Sequence, residues 1–212
     1  MPRAATLRQE RTPRFDARLL SLLGVAARVF AADGYDRTSM RRIAAEAGMS
    51  LAGVYHYCAS KQELLYDIQF HAFDSLVRGL RECTAKVVDP RERLRAAVRS
   101  HVRHFGDNMD ALKVCARELH ALEGDAYRDV HELRRAYFDA MHDIVRKLRP
   151  RSRSDRQSWL ATANLFGMIN WFYQWYDAGQ AKVSLDDLAD HQVSLFLDGY
   201  AAPRPRAKRG RA

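Results

Sequence analysis

The stretch that most constrains this chain is AAEAGMSLAGVYHYCASKQEL, Ala44 to Leu64. Helix-favouring residues run up to Ala47, stop at Gly48-Met49-Ser50 and resume at once. The segment before the break starts after Thr38 or Ser39 and carries Met40, Ile43, Ala44 and Ala47 on one face. The segment after it is bounded by Ser50 and about Tyr57. Each makes about two turns, and helices that short persist in water only by packing against neighbours. Gly48 can take the left-handed conformation that closes the first, Ser50 can cap the second, and Met49 is an apolar plug between them. Two short helices joined by a tight turn with glycine at its sharp point form a helix-turn-helix pattern, which longer helices must support.

Those longer helices are legible along the rest of the chain. Leu19, Leu22, Leu23, Ala26, Val29 and Phe30 keep helical spacing up to Gly34. SKQE, with Ser60 and Glu63 as a capping box, opens a fourth helix that runs past Leu64, Ile68, Phe73 and Leu76 to about Thr84. DPRE opens a fifth, with Asp89 as N-cap and Pro90 at the first helical position, carrying Leu94, Val98, His101, Val102 and Phe105. A sixth is expected over about Met109–Leu122, a seventh from Tyr127 to Arg149, and an eighth from about Ser154 to Tyr176. SLDD caps a ninth, from about Leu185 to Tyr200. No alternating Val/Ile/Thr run bounded by turns marks a strand, so the expected class is all-α.

The net charge of +9 matters more for its placement than for its size. Residues 1–61 hold 10 Lys/Arg against 5 Asp/Glu, and residues 204–212 hold 5 against 0; residues 62–203 hold 20 against 21. Basic ends on a near-neutral body suit a polyanion met by one part of the molecule. Cys58, Cys83 and Cys115 have neither disulfide-framework nor zinc spacing, and the N-terminus lacks the apolar run of a signal peptide. Both features point to the cytoplasm. The most apolar stretch, WLATANLFGMINWFYQWY, is interrupted by Asn164, Asn170 and Gln174 and reads as a buried helix, not a membrane span. There is no G-x-G-x-x-G, P-loop or G-x-S-x-G, so neither an enzyme nor a cofactor is expected. His101 and His104 lack a carboxylate or cysteine partner for a metal.

The third helix, LAGVYHY, has the composition of a probe for duplex DNA. Gly53 in a helix interior costs roughly 1 kcal/mol relative to Ala, and its missing side chain would let a groove wall come close. Leu51 and Ala52 offer apolar contact to thymine methyl groups. Val54 and Tyr57 fall toward the inner side, leaving Tyr55 and His56 nearer the phosphate backbone as donors. Lys61 sits in the first turn of the fourth helix, where the dipole disfavours a cation unless a phosphate is drawn to both. Arg41 and Arg42 complete a positive rim, and Arg41 is the candidate for a guanine edge. The expected DNA-binding set is Thr38, Ser39, Arg41, Arg42, Ser50, Leu51, Ala52, Gly53, Tyr55, His56, Tyr57 and Lys61.

TSMRRIAAEAGMSLAGVYHYCASKQELL, Thr38–Leu65, resembles the DNA-binding signature of the TetR/AcrR family of bacterial regulators. The matching places are Thr38, Ile43-Ala44, Ala47-Gly48-Met49-Ser50, Tyr55-His56-Tyr57-Cys58, and Lys61 with Glu63-Leu64. Met49 stands where the pattern has Val, and Cys58 where it has Phe, a smaller anchor at the junction with the fourth helix. The resemblance implies a nine-helix, Ω-like homodimer whose first three helices bind an operator and whose body holds an effector pocket, with the dimer contact on helices eight and nine. It divides the chain into a basic arm (1–14), a helix-turn-helix domain (15–60), a ligand-binding and dimerisation domain (61–202) and a basic, disordered tail (203–212).

The implied function is a transcriptional regulator, a repressor released from palindromic double-stranded DNA by a small molecule. NLFGMINWFYQWYDAG followed by SLDDLAD resembles a subgroup whose members often sense acyl-CoA or related thioesters; a drug-like or aromatic effector controlling efflux is the alternative. His101, Phe105, Tyr137, Met141, Asn170 and Tyr173 are the candidate pocket residues, although a lone polar group on an apolar face is more often a satisfied core residue. Leu160, Ala163, Phe166, Ile169, Tyr173 and Tyr176 on helix eight, with Leu188, Leu195, Phe196 and Tyr200 on helix nine, form apolar faces that suit the expected dimer interface and could equally be ordinary core.

Overall fold

The computed structural model describes residues 13–148, 154–177, 179–180 and 182–200; most of the expected basic arm and all of the expected basic tail lie outside them, as does the side chain of Tyr200. Among the described residues there are nine α-helices and no strand. They are α1 (Pro13–Asp33), α2 (Met40–Glu46), α3 (Leu51–Tyr55), α4 (Lys61–Thr84), α5 (Pro90–Gly106), α6 (Met109–Arg117), α7 (Gly124–Lys147), α8 (Asp155–Asn170) and α9 (Leu185–Tyr200). Two 3₁₀ turns, Leu119–Ala121 and Trp171–Gln174, follow α6 and α8. No described helix is long and apolar enough to cross a membrane.

The helix starts follow the local chemistry. Asp89 accepts from the N–H groups of Arg91 and Glu92 at 2.9 and 3.0 Å. Ser60 Oγ accepts from Glu63 N–H while the Glu63 carboxylate reaches back to Ala59 N–H. Ser184 and Asp187 cap α9 reciprocally.

Two helices end earlier than their periodicity suggests. α6 stops at Arg117, where side chains of α4 take up the next carbonyls: Gln69 Nε2 donates to Glu118 O at 3.2 Å and Gln62 Nε2 to Ala121 O at 2.9 Å. α8 tightens to 3₁₀ after Asn170, near where Gln192 Nε2 donates to the Met168 carbonyl at 2.9 Å.

The described residues pack as two compact units, one within 1–75 and 108–134, the other within 76–107 and 135–212. In the first, α1 buries the whole stripe read from its periodicity, Leu19, Leu22, Leu23, Ala26, Val29 and Phe30. Ile43, Ala44, Val54, Leu64, Leu65, Ile68, Val114, Leu122 and Val130 join the same core. Fully burying a Leu, Ile or Phe side chain contributes about 1.5–3 kcal/mol, so a few such contacts hold α2 and α3, which are too short to hold themselves. The sequence-based division was expected at residue 60; by packing, the start of α4 belongs with α1–α3.

The second unit is built on α5, α8 and α9. α5 buries Leu94, Ala97, Val98, His101, Val102 and Phe105, and α9 buries Leu188, Ala189, Val193, Phe196 and Leu197. Gly106 lets the Leu185 side chain sit against the end of α5, where a Cβ would overlap it. Bidentate pairs, Arg99 with Asp190 and Arg103 with Asp186, each with both bonds at 2.6 Å, flank the crossing.

Candidate nucleic-acid interface

The turn between α2 and α3 is closed by its own backbone. Gly48 takes φ 61°, its N–H reaches Ala45 O at 3.2 Å, and Met49 N–H reaches Ala44 O at 2.9 Å. That paired pattern after the helix C-cap is a Schellman motif, with Met49 folded onto the core as its apolar partner. Ser50 then caps α3 by accepting from Gly53 N–H at 3.0 Å. Ser39 caps α2 by accepting from Arg42 N–H at 3.2 Å. The two helices are thereby held at a set angle on a scaffold whose inner face, Ile43, Ala44 and Val54, is buried.

The outer face carries the expected readers. Arg41, Ala52, Tyr55 and His56 are exposed, Tyr55 at 48%. Ser39 and Ser50 are exposed too, and each cap uses the hydroxyl only as acceptor, leaving its O–H to donate outward. Leu51 is half-buried against the core. Tyr57 is half-buried with its ring 4.8 Å from that of Phe15, and His56 meets the same ring edge-on at 5.7 Å. Cys58, the smaller anchor, is buried and donates to Val54 O; burial pushes its thiol up to about 12, so it packs as an apolar residue.

Four residues of the expected set are placed differently. Thr38 is 3% exposed and donates its hydroxyl to Gly34 O at 2.8 Å, so it closes the α1–α2 turn. The Lys61 ammonium donates to the carbonyls of Tyr35, Thr38 and Asp36 at 2.8, 3.0 and 3.4 Å and lies 4.2 Å over the Tyr35 ring. Its donors are engaged by the turn rather than offered to a phosphate. Arg42 lies 3.5 Å from Asp33 and 3.2 Å from Glu46, which cancels its contribution to a positive rim. A Cβ on Gly53 would stand 3.1 Å from Ser50 Oγ, so the missing side chain serves the cap of α3 inside the protein. No ion pair is recorded for Arg41 among the described residues.

In the second unit, the candidate pocket residues gather around a buried histidine. His101, 1% exposed, has Nδ1 3.0 Å from Tyr137 Oη and Nε2 3.0 Å from Asn170 Oδ1. An amide oxygen only accepts, so Nε2 carries the proton, and Nδ1 accepts from the tyrosine hydroxyl. Burial drives the His101 pKa down to about 3, with the Asn170 bond opposing and nearby His104 adding to the shift, so the ring is neutral. Rings of Phe105 and Phe166 meet it edge-on at 5.1 and 6.0 Å, and Tyr137 stacks at 5.8 Å. Met141, a turn beyond Tyr137, is fully buried, whereas the Tyr173 ring lies against Trp171 in the 3₁₀ turn.

The cluster is a satisfied polar core lined with aromatics. Phe166 was expected on the dimer face; its spacing of four from Asn170 places it on the same side of α8 as the histidine's partner. Of the other expected dimer residues, Ile169, Leu188 and Phe196 are buried within the unit, while Leu160 and Leu195 are exposed, with Trp171. Arg14 and Arg18, which the sequence reading left out of the site, also face solvent beside Tyr57.

Comparison with known proteins agrees with both units. Residues 22–68 match the model for bacterial regulatory proteins of the tetR family, and residues 87–200 match that for the tetracyclin repressor-like C-terminal domain. The chain is 28% identical over 189 residues to the HTH-type transcriptional repressor KstR2 of Rhodococcus jostii, covering 88% of this chain and 92% of KstR2. It is 31% identical over 144 residues to the HTH-type transcriptional activator FasR of Mycolicibacterium smegmatis, covering 68% and 65%. A TetR-family regulator from Bordetella parapertussis superposes with TM-score 0.80 at 31% identity, over 92% of this chain and all of that one. AibR, solved with isovaleryl coenzyme A and operator DNA, shares the fold at TM-score 0.73 and 24% identity, over 84% and 97%. With family models matching both its reading head and more than half its length, this chain belongs to the TetR family of DNA-binding transcription regulators.

Proposed function

We propose that this protein is a cytoplasmic, homodimeric repressor that reads a palindromic operator through α3 and leaves it when a small molecule binds the second unit. The observation that carries the reading is the α2–α3 pair, capped at both starts, buried on its inner face and bare on the face holding Arg41, Ala52, Tyr55 and His56. Dimerisation is supported by an apolar surface on α8 and the turn after it, where Leu160, Gly167 and Trp171 lie exposed at helical spacing, and by Leu195 on α9. Two-fold pairing repeats α3, and half-sites about one helical turn apart follow from it.

Selection from a random duplex library tests this directly. A two-fold symmetric consensus is expected; recovery of duplexes with no shared sequence would sink the reading.

The effector proposed is an acyl-CoA or related thioester, on the resemblance of the segment around Trp171. A second class, flat aromatic compounds, is supported by a relative at 28% identity, the nicotine-responsive repressor HdnoR of Paenarthrobacter nicotinovorans. Displacement of the selected duplex by a panel holding acyl-CoA esters and aromatic amines separates the two. If no compound in either class releases the duplex, the effector proposal fails.

A further inference from the structure

The Lys61 side chain is turned inward, so a basic anchor for the DNA backbone has to be found elsewhere on this unit. A cleft of about 410 Å³ lies where the start of α1 meets the end of α3, lined by Arg14, Phe15, Arg18 and Tyr57. A water fills about 30 Å³ of liquid, so the cleft has room for a phosphodiester group with attached water. Arg14 and Arg18 are four apart on α1 and therefore share one face. Like charges at this spacing repel, and no carboxylate pairs with either among the described residues. Asp16, two residues from each, projects to another side of the helix.

The cleft floor is formed by the rings of Phe15 and Tyr57, with His56 packed edge-on against both. Phe15 touches Tyr57 at 4.8 Å and His56 at 5.7 Å, and His56 meets Tyr57 edge-on at 5.1 Å. His56 is also on the exposed face of α3, so the two guanidinium groups stand at the edge of the reading surface.

We propose that Arg14 and Arg18 clamp one backbone phosphate of the operator at the outer edge of each half-site, on a floor formed by Phe15 and Tyr57. The inference rests on the regulator reading above. A guanidinium fork suits a phosphate better than an ammonium does, because two N–H groups can meet two oxygens in a fixed geometry. The clamp adds affinity without sequence preference, leaving base readout to α2 and α3.

The test measures dissociation constants of the wild-type protein and the Arg14→Ala/Arg18→Ala variant for the selected duplex at several salt concentrations. The same measurement is repeated on duplexes carrying a neutral methylphosphonate at single backbone positions. The variant should bind about tenfold or more weakly, keep its base preferences, and show a salt slope shallower by about one unit. One methylphosphonate position should weaken the wild type but not the variant. Both arginines are exposed, so an unchanged melting temperature confirms that the variant is folded.

If the variant keeps the full slope, or no backbone position loses its effect in the variant, the clamp is refuted while the regulator reading stands. If the variant binds the duplex as tightly as the wild type does, while adenosine monophosphate binds the wild type alone, the cleft holds a free nucleotide and the clamp is equally refuted. Failure of the wild type to prefer any duplex removes the regulator reading itself.

Discussion

Lys61→Met separates a structural lysine from a phosphate contact. Methionine keeps most of the stem and removes the ammonium, so the carbonyls of Tyr35, Thr38 and Asp36 lose a charged donor. Asp36 is exposed and water replaces the bond there. Tyr35 is 9% exposed and Thr38 3%, so water reaches their carbonyls poorly. Tyr35 O keeps the Thr38 N–H at 3.1 Å, so one buried acceptor, Thr38 O, is left unsatisfied, which costs about 1–3 kcal/mol. Loss of the cation–π contact over Tyr35 adds about 1 kcal/mol and release of the half-buried lysine from its fixed rotamer returns about as much, giving a net loss of about 1–3 kcal/mol. For a chain of this size that is a fall in melting temperature of about 2–12 °C.

Thermal melts by circular dichroism would read the total. Amide exchange of residues in the α1–α2 turn would show whether the loss is local, and salt titration of operator binding would show whether a phosphate contact went with it. Unchanged melting and exchange, together with a salt slope shallower by about one unit, would refute the argument and restore Lys61 to the DNA contact.

The remaining predictions concern the reading face, the turn and the buried histidine. Arg41→Ala should cost about 1–3 kcal/mol at the operator and relax preference at one base pair; an equal loss on every sequence would make Arg41 a phosphate contact only. Gly48→Ala forces a side chain into a left-handed residue and should destabilise the protein by about 1–2 kcal/mol in urea melts, with no loss expected only if the turn reorganises. His101 titrates near 3 when folded against about 6.5 when unfolded, so the unfolded chain binds the extra proton between those values. Stability is therefore full above about pH 6.5 and declines as the pH falls toward 3, by about 2 kcal/mol at pH 5. In His101→Gln that part of the acid slope should vanish, and an unaltered slope would place the titrating group elsewhere.

What this sequence determined alone is what the chain settles within a few residues of itself. Gly48, Ser50, the Ser60–Glu63 box and Asp89 each act through bonds to neighbours at most four positions away, so helix starts and the reading turn were legible letter by letter. The apolar stripe of α1 was legible for the same reason, since a helix repeats over that distance. What the tertiary structure decided is where long side chains end. Lys61 finds carbonyls 23 to 26 residues back, and His101 meets partners 36 and 69 residues on. Gln62 and Gln69 halt the α6 ladder from 59 and 49 residues away. A sequence fixes which donors and acceptors exist. Which ones meet depends on chain segments brought together only by burial of the shared apolar core, so a lysine set beside a reading helix can belong to the scaffold, while two arginines at the edge of α1 stand free for the partner.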